Sequence, residues 1–450
     1  MRQRLYVLGG GEVKHNNSNN NNNTARPTSS ALEPVLEARS LKVLWAAWCD
    51  AVVAHGKNKD EDGDGGDGGD SGGVEEPWPW VLEYMGTGLT TAQKECLTGD
   101  EDLKRAAPLA EAVLFGSVMH DGLRGYVVRS GNGDGGAGAD AGTGTERPEQ
   151  KIVLFGTDVE MEEGVPEIQT FLASESGFTA TITDVKIDTS GCISLYTASP
   201  STTTTTTDLV LRFENFSHLR RYLSFAPQPF SLAREVTCLP FTSPSPPQHV
   251  VNATTTSALD ANMHVWTSTS DPRYPKCLGR SHDGGFDMSP LPYLEESCIL
   301  KVAAGGYMSA AVSSDGELFV WGQACPGAGK ELDVLKVSEG VEAPVTGIGV
   351  DEEQDEFVKC LDVRIDGQVA RVYDVAVGHG HLLVAAELCG TGEETKSVLF
   401  AAGDDSENQL GLETGADFKE SFEEVASLRG KRIVQLEAAG WSTYVVLLEK

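Results

Sequence analysis

The feature that most constrains this chain of 450 residues is a short repeating unit built of strands and tight turns. Its clearest copy, residues 299–327, reads ILKVAAGGYMSAAVSSDGELFVWGQACPG. Apolar side chains follow a strand pattern in three short segments, Gly305-Gly306 ends the first, and Asp315-Gly316 is a strong hairpin signal. One unit of this size cannot bury both of its faces. The pattern therefore predicts further copies that pack against each other.

Two further copies follow in the last third of the chain. The second reads VYDVAVGHGHLLVAAE and SVLFAAGDDSENQLGL, with Gly403 at the place of Gly322. The third starts at Ile433 and stops after two strands. Residues 4–10, RLYVLGG, are similar to ELFVWG, so the N-terminus is predicted to supply the missing third strand. Such pairing closes a ring and leaves no open sheet edge.

These segments resemble the repeat of the regulator of chromosome condensation family. Its consensus is an apolar strand, A-x-G-x-x-H, a second strand, D-G-x-L/V-Y-x-W-G and a Gln-Leu-Gly turn. The resemblance is good for residues 299–322, 372–412 and 433–450, and moderate for residues 261–280. It implies an all-β fold, a seven-bladed β-propeller closed by N- and C-terminal strands in one blade, also called the beta-lactamase-inhibitor-protein-II-like fold. The structural repeat positions that it marks are Gly305, Trp321, Gly322, Gly378, His381, Gly403, Gly411 and Gly440.

The pattern extends over the whole chain, and we interpret residues 1–450 as a single propeller. The predicted units begin near Leu41, Val113, Ile182, Val250, Ile299, Val372 and Ile433. Low-complexity composition predicts disordered loop insertions at 16–30, 56–77, 130–150, 198–207 and 351–356. Three of these, and residues 387–396, fall between the second and third strand of a unit. In a propeller the hairpin between the second and third strands lies on the same face in every blade. These four insertions should therefore share one face.

The repeat glycines and Trp321 are expected to serve folding. Gly305, Gly378 and Gly440 follow the first strand of their units, where we expect turns that need positive φ. Trp321 ends a third strand, where packing between blades is the expected role.

His381 has two interpretations. With His379 it forms a pair two residues apart, as metal ligands can be. It also falls on the G-x-x-H position of the repeat, where the resemblance implies a side chain that bonds within its blade. The corresponding positions of the other two units are Met308 and Thr443. We favour the structural role.

Three patterns that could carry chemistry are incomplete or absent. Residues 60–65 match the first half of an EF-hand loop, but Ser71 stands where the bidentate Glu is required. Residues 322–330, GQACPGAGK, lack the spacing of a phosphate loop, and Glu331 follows the lysine in place of Ser or Thr. No Gly-x-Ser-x-Gly elbow is present. The sequence therefore predicts no catalytic residue, no cofactor and no metal.

The charge of the chain indicates the class of partner, and its cysteine usage indicates the cell compartment. The formal net charge is −32, which disfavours direct binding to nucleic acid or an anionic membrane and favours a basic partner. Nine scattered cysteines without a Cys-x-x-Cys pair are typical of a reducing compartment. The early sequence has no apolar signal segment. We expect a monomer that lies inside the cell, in the cytoplasm, the nucleus or both.

Two functions remain open. The first is a non-enzymatic scaffold or adaptor that presents a loop-rich face to protein partners, among them a small GTPase or a basic protein. The alternative is a guanine nucleotide exchange factor for a Ran-type small GTPase, which the resemblance implies. An exchange factor binds the nucleotide-free GTPase and lowers nucleotide affinity by linkage, with no covalent step. The N-terminal repeats are too degenerate to carry over any exchange residue.

Overall fold

The computed structural model describes residues 2–9, 32–48, 50–56, 80–129, 149–173, 180–198, 209–224, 233, 235–244, 246–285, 287–336, 345–350, 356–388, 396–412 and 415–449. These residues form seven antiparallel sheets in a ring, which is a β-propeller. We number the blades from the sheet that begins at Leu41, and the strands within a blade in the order in which they pair.

Every blade is built from a meander of neighbouring strands. Blade 1 contains Leu41–Ala46, Asp50–Gly56 and Trp80–Gly86. Blade 2 contains Ala112–Ser117, Gly122–Arg129, Gln150–Phe155 and Ile168–Leu172. Blade 3 contains Thr181–Ile187, Ile193–Ala198, Leu209–Phe213 and Glu235–Cys238. Blade 4 contains His249–Val251, Thr255–Leu259, Val265–Thr269 and Ser289–Pro290. Blade 5 contains Ile299–Gly305, Met308–Ser313, Leu318–Gly322 and Val358–Ile365. Blade 6 contains Arg371–Val377, His381–Leu388, Lys396–Asp404 and Phe418–Glu424. Blade 7 contains Arg432–Ala439, Ser442–Glu449, Arg2–Gly9 and Leu36–Ala38.

The sequence pattern located the blades closely. Each observed first strand begins at the predicted residue or one residue before it. The predicted closure is also confirmed, because Arg2–Gly9 pairs along its whole length with Ser442–Glu449 in blade 7. The seven-bladed all-β propeller is therefore the fold of this chain.

Two blades depart from the four-stranded pattern. Blade 1 has three strands, and helices Thr91–Gly99 and Glu101–Ala106 follow its third strand. Blade 5 has an additional outer strand, Gly347–Val350, and a short hairpin strand, Gln368–Val369. The sequence analysis predicted neither feature.

Short helices fill several connections between strands. Besides the two after blade 1, the α-helices are Asp158–Glu162, Phe216–Ser224 and Pro275–Leu278. The 3-10 helices are Ala107–Leu109, Pro292–Leu294, Asp333–Leu335 and Ala426–Leu428. In the part of the chain that the structure describes, no helix is long and apolar enough to cross a membrane.

The antiparallel meander gives the disc two different faces. The turns between first and second strands and the loops after third strands lie on one face, which we call the rim face. The hairpins between second and third strands lie on the opposite face. All four intervals 56–77, 130–150, 198–207 and 387–396 fall between a second and a third strand, as predicted. The predicted loops themselves, including 16–30 and 351–356, lie outside the described residues except at their ends. There Gly56, Gln150, Ala198, Glu387, Leu388 and Lys396 are strand residues, and Glu149 and Glu356 are also described.

Apolar clusters pack between neighbouring blades and form the core. The cluster between blades 5 and 6 includes Val320, Val375 and Phe400, each at most 1% exposed. The cluster between blades 6 and 7 includes Leu383 and Leu436, which are fully buried. Because each blade covers the next, no blade could keep its sheet faces dry alone.

Polar side chains near the start of the first strands add a second set of links between blades. Each reaches the next blade: Asp184 to His249, Gln248 to Leu300, Lys301 to Asp374, Asp374 to Leu436, and Gln435 to Val43. Four of the five stand beside a β-bulge in their strand, where two residues oppose one on the partner strand. The links therefore fix neighbouring blades around the central channel.

One of these links joins three blades. The Lys301 ammonium lies 2.6 Å from an Asp374 carboxylate oxygen and donates a 3.1 Å bond to the Leu436 carbonyl. The second carboxylate oxygen of Asp374 accepts the backbone N–H of Leu436 at 2.9 Å. Burial opposes the charge of Lys301, but Glu437 and Asp374 together raise the pKa of Lys301.

Replacing Gln435 by leucine should lower the free energy of unfolding by about 1.5 kcal/mol. Its amide accepts from the Val43 N–H at 2.9 Å and donates to the Val43 carbonyl at 2.8 Å, and leucine leaves both backbone groups of blade 1 unpaired. Urea denaturation of wild type and variant measures the difference. Val434→Ala, at a neighbouring side chain that is 41% exposed, is the control with little expected effect.

Candidate functional site

The rim face is organised around the turns that join first and second strands. These turns bond to each other across the blades: Trp48 N–H to Val118 O at 3.0 Å, Thr189 hydroxyl to Ala253 O at 2.9 Å, Ala253 N–H to Gly306 O at 2.7 Å, and His379 N–H to Gly440 O at 2.7 Å. These bonds, three of them between backbone groups, hold the turns in one arrangement. The mouth of the central channel is therefore a fixed rim.

A cavity of about 500 Å³ opens inside this rim. The first strands of all seven blades or the turns that follow them line it, so it is the mouth of the central channel. Its wall is mostly aliphatic and backbone. The larger rings are those of Trp45, Phe115, Tyr307, His120, His249 and His379, and the charged side chains are Lys186, Asp188 and Glu437. A concave, mainly apolar mouth with few polar groups is typical of a binding site.

Large side chains stand on the rim and remain partly accessible. Val118 is 40% exposed, and Trp48, Tyr307 and Trp441 are half-buried. The Trp48 indole donates a 2.9 Å bond to the His120 carbonyl, which fixes its ring. The Trp441 and Tyr307 rings make edge contacts with His379 and Tyr274 at centroid distances of 5.3 Å. Three aromatic side chains are thus held in defined positions while part of their surface faces solvent, and Val118 stands exposed beside them.

Asp184 lies between blades 3 and 4 below the rim. It is bonded to His249 Nδ1 at 3.0 Å and to the Lys186 ammonium at 3.1 Å. Burial opposes its ionisation, but Lys186 and His249 keep the pKa of Asp184 below its usual value. His249 stacks on Tyr196 with centroids 3.9 Å apart. The group is a buried structural link with every charge paired.

Cys325 contacts His379 at the rim, a pair that the sequence analysis did not identify. The thiol sulfur lies 3.6 Å from His379 Nε2. Burial, with a contribution from Asp404, raises the pKa of the Cys325 thiol, and burial lowers the pKa of His379. Both shifts favour the neutral thiol and the neutral imidazole. The pair therefore lacks the thiolate that a cysteine nucleophile needs.

The expected positive φ at Gly305 and Gly378 is wrong. Neither residue has positive φ; the left-handed residues of these turns are Gly306, at +53°, and Gly380, at +83°. Gly305 and Gly378 are needed for space. A Cβ at Gly305 would lie 2.7 Å from the Gly378 carbonyl oxygen, and a Cβ at Gly378 would lie 2.6 Å from the ring nitrogens of His381.

The alignment of the third unit with the other two is also off by one residue. Strand pairing places Ala439 opposite Ser442, as it places Gly305 opposite Met308. Gly440 therefore corresponds to Gly306, and Ser442 rather than Thr443 corresponds to Met308. Gly440 does have the expected positive φ, +54°, and a Cβ there would meet the backbone of Trp48 in blade 1.

The other marked positions lie at the ends of third strands and in the turn after them. Gly322 and Gly403 pair with Met308 and His381 and have φ of +120° and +105°. Gly411 has φ of +66°, and a Cβ there would lie 2.9 Å from the Leu8 side chain of blade 7. Trp321 is fully buried in the cluster between blades 4 and 5, where Gly279 approaches its ring.

His381 links two blades, although the resemblance implied a bond within its own. The residue is fully buried, and its Nε2 lies 3.1 Å from the Thr443 hydroxyl oxygen of blade 7. Burial lowers the pKa of His381 to about 3, so the ring is neutral. His379 lies apart from it at the rim and contacts Cys325. Within the described ranges, no group of three or more His, Cys, Asp or Glu side chains could hold a metal ion. The EF-hand-like residues 60–71 lie outside those ranges.

Sequence reasoning found the turn glycines but missed the rim as a unit. Trp48, Val118 and Tyr307 are far apart in sequence, and only closure of the ring brings them to one face. The available signal was positional, because each follows the apolar first strand of a unit by a few residues.

Comparisons with known proteins return distant structural alignments. No family model matches the chain, and no curated protein matches it. Among solved structures, Prp20p from Saccharomyces cerevisiae aligns at 12% identity over 67% of this chain and 81% of its own, with a TM-score of 0.35. Human WBSCR16 aligns at 13% identity over 66% and 84% of the two chains, with a TM-score of 0.30. Yeast RCC1 (Prp20) bound to Kap60 aligns at 13% identity over 67% and 78%, with a TM-score of 0.35.

The fold itself is argued from the sheets. Seven meander blades surround one channel, and strands from both ends of the chain complete blade 7. The turn glycines and the third-strand glycines recur at matching positions of several blades. The chain therefore has the seven-bladed propeller fold that its resemblance to the regulator of chromosome condensation family implied.

Proposed function

We propose that this chain is a non-enzymatic scaffold that binds a protein partner through the rim face. One observation carries the proposal: Trp48, Val118, Tyr307 and Trp441 stand partly exposed around a concave mouth on turns that backbone bonds hold in place. Aromatic side chains in fixed positions are the usual anchors of protein interfaces. A fixed rim also lowers the entropy that binding costs.

Chemistry at the same mouth favours binding over catalysis. The thiol and imidazole of Cys325 and His379 are both shifted towards their neutral forms. The carboxylate of Asp184 is buried and paired, so it serves as a link between blades. The net charge of −32 favours a partner with a basic surface.

Capture experiments from native cell extract test the proposal. Tagged wild-type protein, Val118→Asp and Val369→Asp are used as baits, and bound proteins are quantified by mass spectrometry. Val118 lies on the rim, whereas Val369 is 70% exposed on the opposite face, so the two changes match in chemistry but not in place. We expect capture of specific partners to fall at least tenfold with Val118→Asp and to remain unchanged with Val369→Asp. Equal capture by all three baits contradicts the rim as the binding face.

Each capture is run with excess guanine nucleotide plus magnesium and, in parallel, with EDTA. A small GTPase that is captured only after EDTA favours exchange-factor activity of the Ran type, because such a factor holds the nucleotide-free form. Partners that do not respond to nucleotide favour the scaffold. Prp20p, one of the aligned structures, was studied for its binding to Gsp1p and histones, which makes a GTPase and a basic protein the two classes to search for first.

A further inference from the structure

The contact between blades 3 and 4 differs from the other blade contacts. Its buried apolar cluster, among the described residues, consists of Tyr196, Val210 and Leu239. The cluster between blades 7 and 1 contains nine buried apolar residues. Packing in protein cores leaves few voids, so a contact with this little apolar packing should be either filled by water or open to a ligand.

A slot of about 420 Å³ lies in this contact. One wall comes from blade 3 and the other from the second and third strands of blade 4. The slot shares Lys186, Asp188, Val251 and Asn252 with the cavity at the channel mouth. A segment of a partner that sits on the rim can therefore continue into the slot.

Hydroxyl groups dominate the blade 4 wall. Thr256 and Ser268 point to the blade 3 side of the sheet and line the slot, and neither hydroxyl has a hydrogen-bond partner among the described residues. The Ser268 residue is 3% exposed and lines the slot, so its hydroxyl is available to a ligand there. A hydroxyl can both donate and accept a hydrogen bond.

The charged groups in the slot are already engaged. The Lys186 ammonium is paired with Asp184 at 3.1 Å. Asp188 accepts the hydroxyl and N–H of Ser190 and the N–H of Cys192. Arg212 also has a partner of its own. Beside these charged groups, the blade 4 wall offers neutral donors and acceptors, which match the N–H and C=O groups of a polypeptide main chain.

We propose that the slot between blades 3 and 4 binds the main chain of a short extended peptide segment that the protein partner inserts from the rim. The inference rests on the proposed function, because it names which part of a protein partner is recognised and where. Hydroxyls of Thr256 and Ser268 bond the peptide backbone, and the narrow slot admits small side chains.

A displayed library of random dodecapeptides provides the probe. It is panned against the full chain, and selected peptides are synthesised with a fluorophore for anisotropy titrations. Three variants are compared with wild type: Ser268→Leu, which fills the slot; Thr256→Val, which keeps the shape and removes the hydroxyl; and Ser297→Leu, a control on the opposite face. Melting temperatures establish that each variant is folded, and Ser268→Ala replaces Ser268→Leu should leucine unfold the chain.

We expect the Kd of the selected peptides to rise at least tenfold in Ser268→Leu and several-fold in Thr256→Val, and to stay unchanged in Ser297→Leu. Peptides that bind all variants equally, or a library from which wild type selects none, overturn the slot as a peptide site and leave it filled by water. The capture experiment with Val118→Asp is independent of this result. The slot can therefore fail while the rim stands.

Discussion

Replacing Gly305 by alanine is expected to lower the free energy of unfolding by about 3 kcal/mol or more. A Cβ at this position would lie 2.7 Å from the carbonyl oxygen of Gly378 and closer still to that of Val377. Both oxygens belong to the backbone of blade 6, and they cannot move without disturbing the hydrogen bonds of that blade. The methyl group should therefore push blades 5 and 6 apart, where the most extensive apolar cluster lies.

Gly285→Ala is the matched control for this prediction. Gly285 has no positive φ, and a Cβ there would meet only the Asp283 side chain, 3.5 Å away. Urea denaturation followed by tryptophan fluorescence should show a much lower midpoint for Gly305→Ala and little change for Gly285→Ala. Equal midpoints for wild type and Gly305→Ala would mean that the two blades can separate at no cost, which contradicts the role assigned to this glycine.

The blade positions could be predicted because their signals are local. Each unit starts with an apolar strand that ends at a glycine or small residue, and this pattern survives in blades whose motifs are degenerate. The match between residues 4–10 and the third strands of other units was enough to predict the closure of blade 7. These features depend on strand periodicity and turn chemistry, which neighbouring residues determine.

The turn register was harder to predict because several small residues stand in sequence. Ala438, Ala439 and Gly440 fit the repeat in two registers, and only pairing with Ser442 decides between them. The same limit applies to Gly305, whose need for space comes from another blade. The capping box of helix Thr91–Gly99, in contrast, was a local signal that was overlooked: Thr90 and Gln93 each bond the backbone of the other.

The rim and the slot could not be predicted, because both depend on contacts between blades. Lys301 and Asp374 stand 73 residues apart and looked like ordinary polar residues in strands. Their role appears only when the first strands of three blades meet at the channel. The unpaired hydroxyl of Ser268 is likewise visible only once blade 3 is known to leave a slot beside it. Binding features of a propeller arise mainly from this closure, so a single sequence predicts the scaffold better than the site.

Wild-type protein is expected to lose about 2 kcal/mol more stability than His381→Gln when the pH falls from 7 to 5. Burial lowers the pKa of His381 to about 3 in the folded protein, against an ordinary value of 6.5 in the unfolded chain. The unfolded state therefore binds the proton more tightly. The contribution of His381 to stability is complete above pH 6.5 and is lost progressively as the pH falls towards 3. Glutamine has no proton to bind in this range, so that part of the pH dependence disappears.

Urea denaturation at pH 7, 6 and 5 measures the effect as the difference between the two proteins at each pH. Any stability that glutamine loses by replacing the ring bonded to Thr443 at 3.1 Å is the same at every pH and leaves the comparison unchanged. Carboxylates and His379 titrate in both proteins and cancel in the comparison. Parallel pH profiles would show that the imidazole is protonated in the folded state at no extra cost. That result would contradict a sealed contact between blades 6 and 7, because a buried cation without a counter-charge is strongly unfavourable.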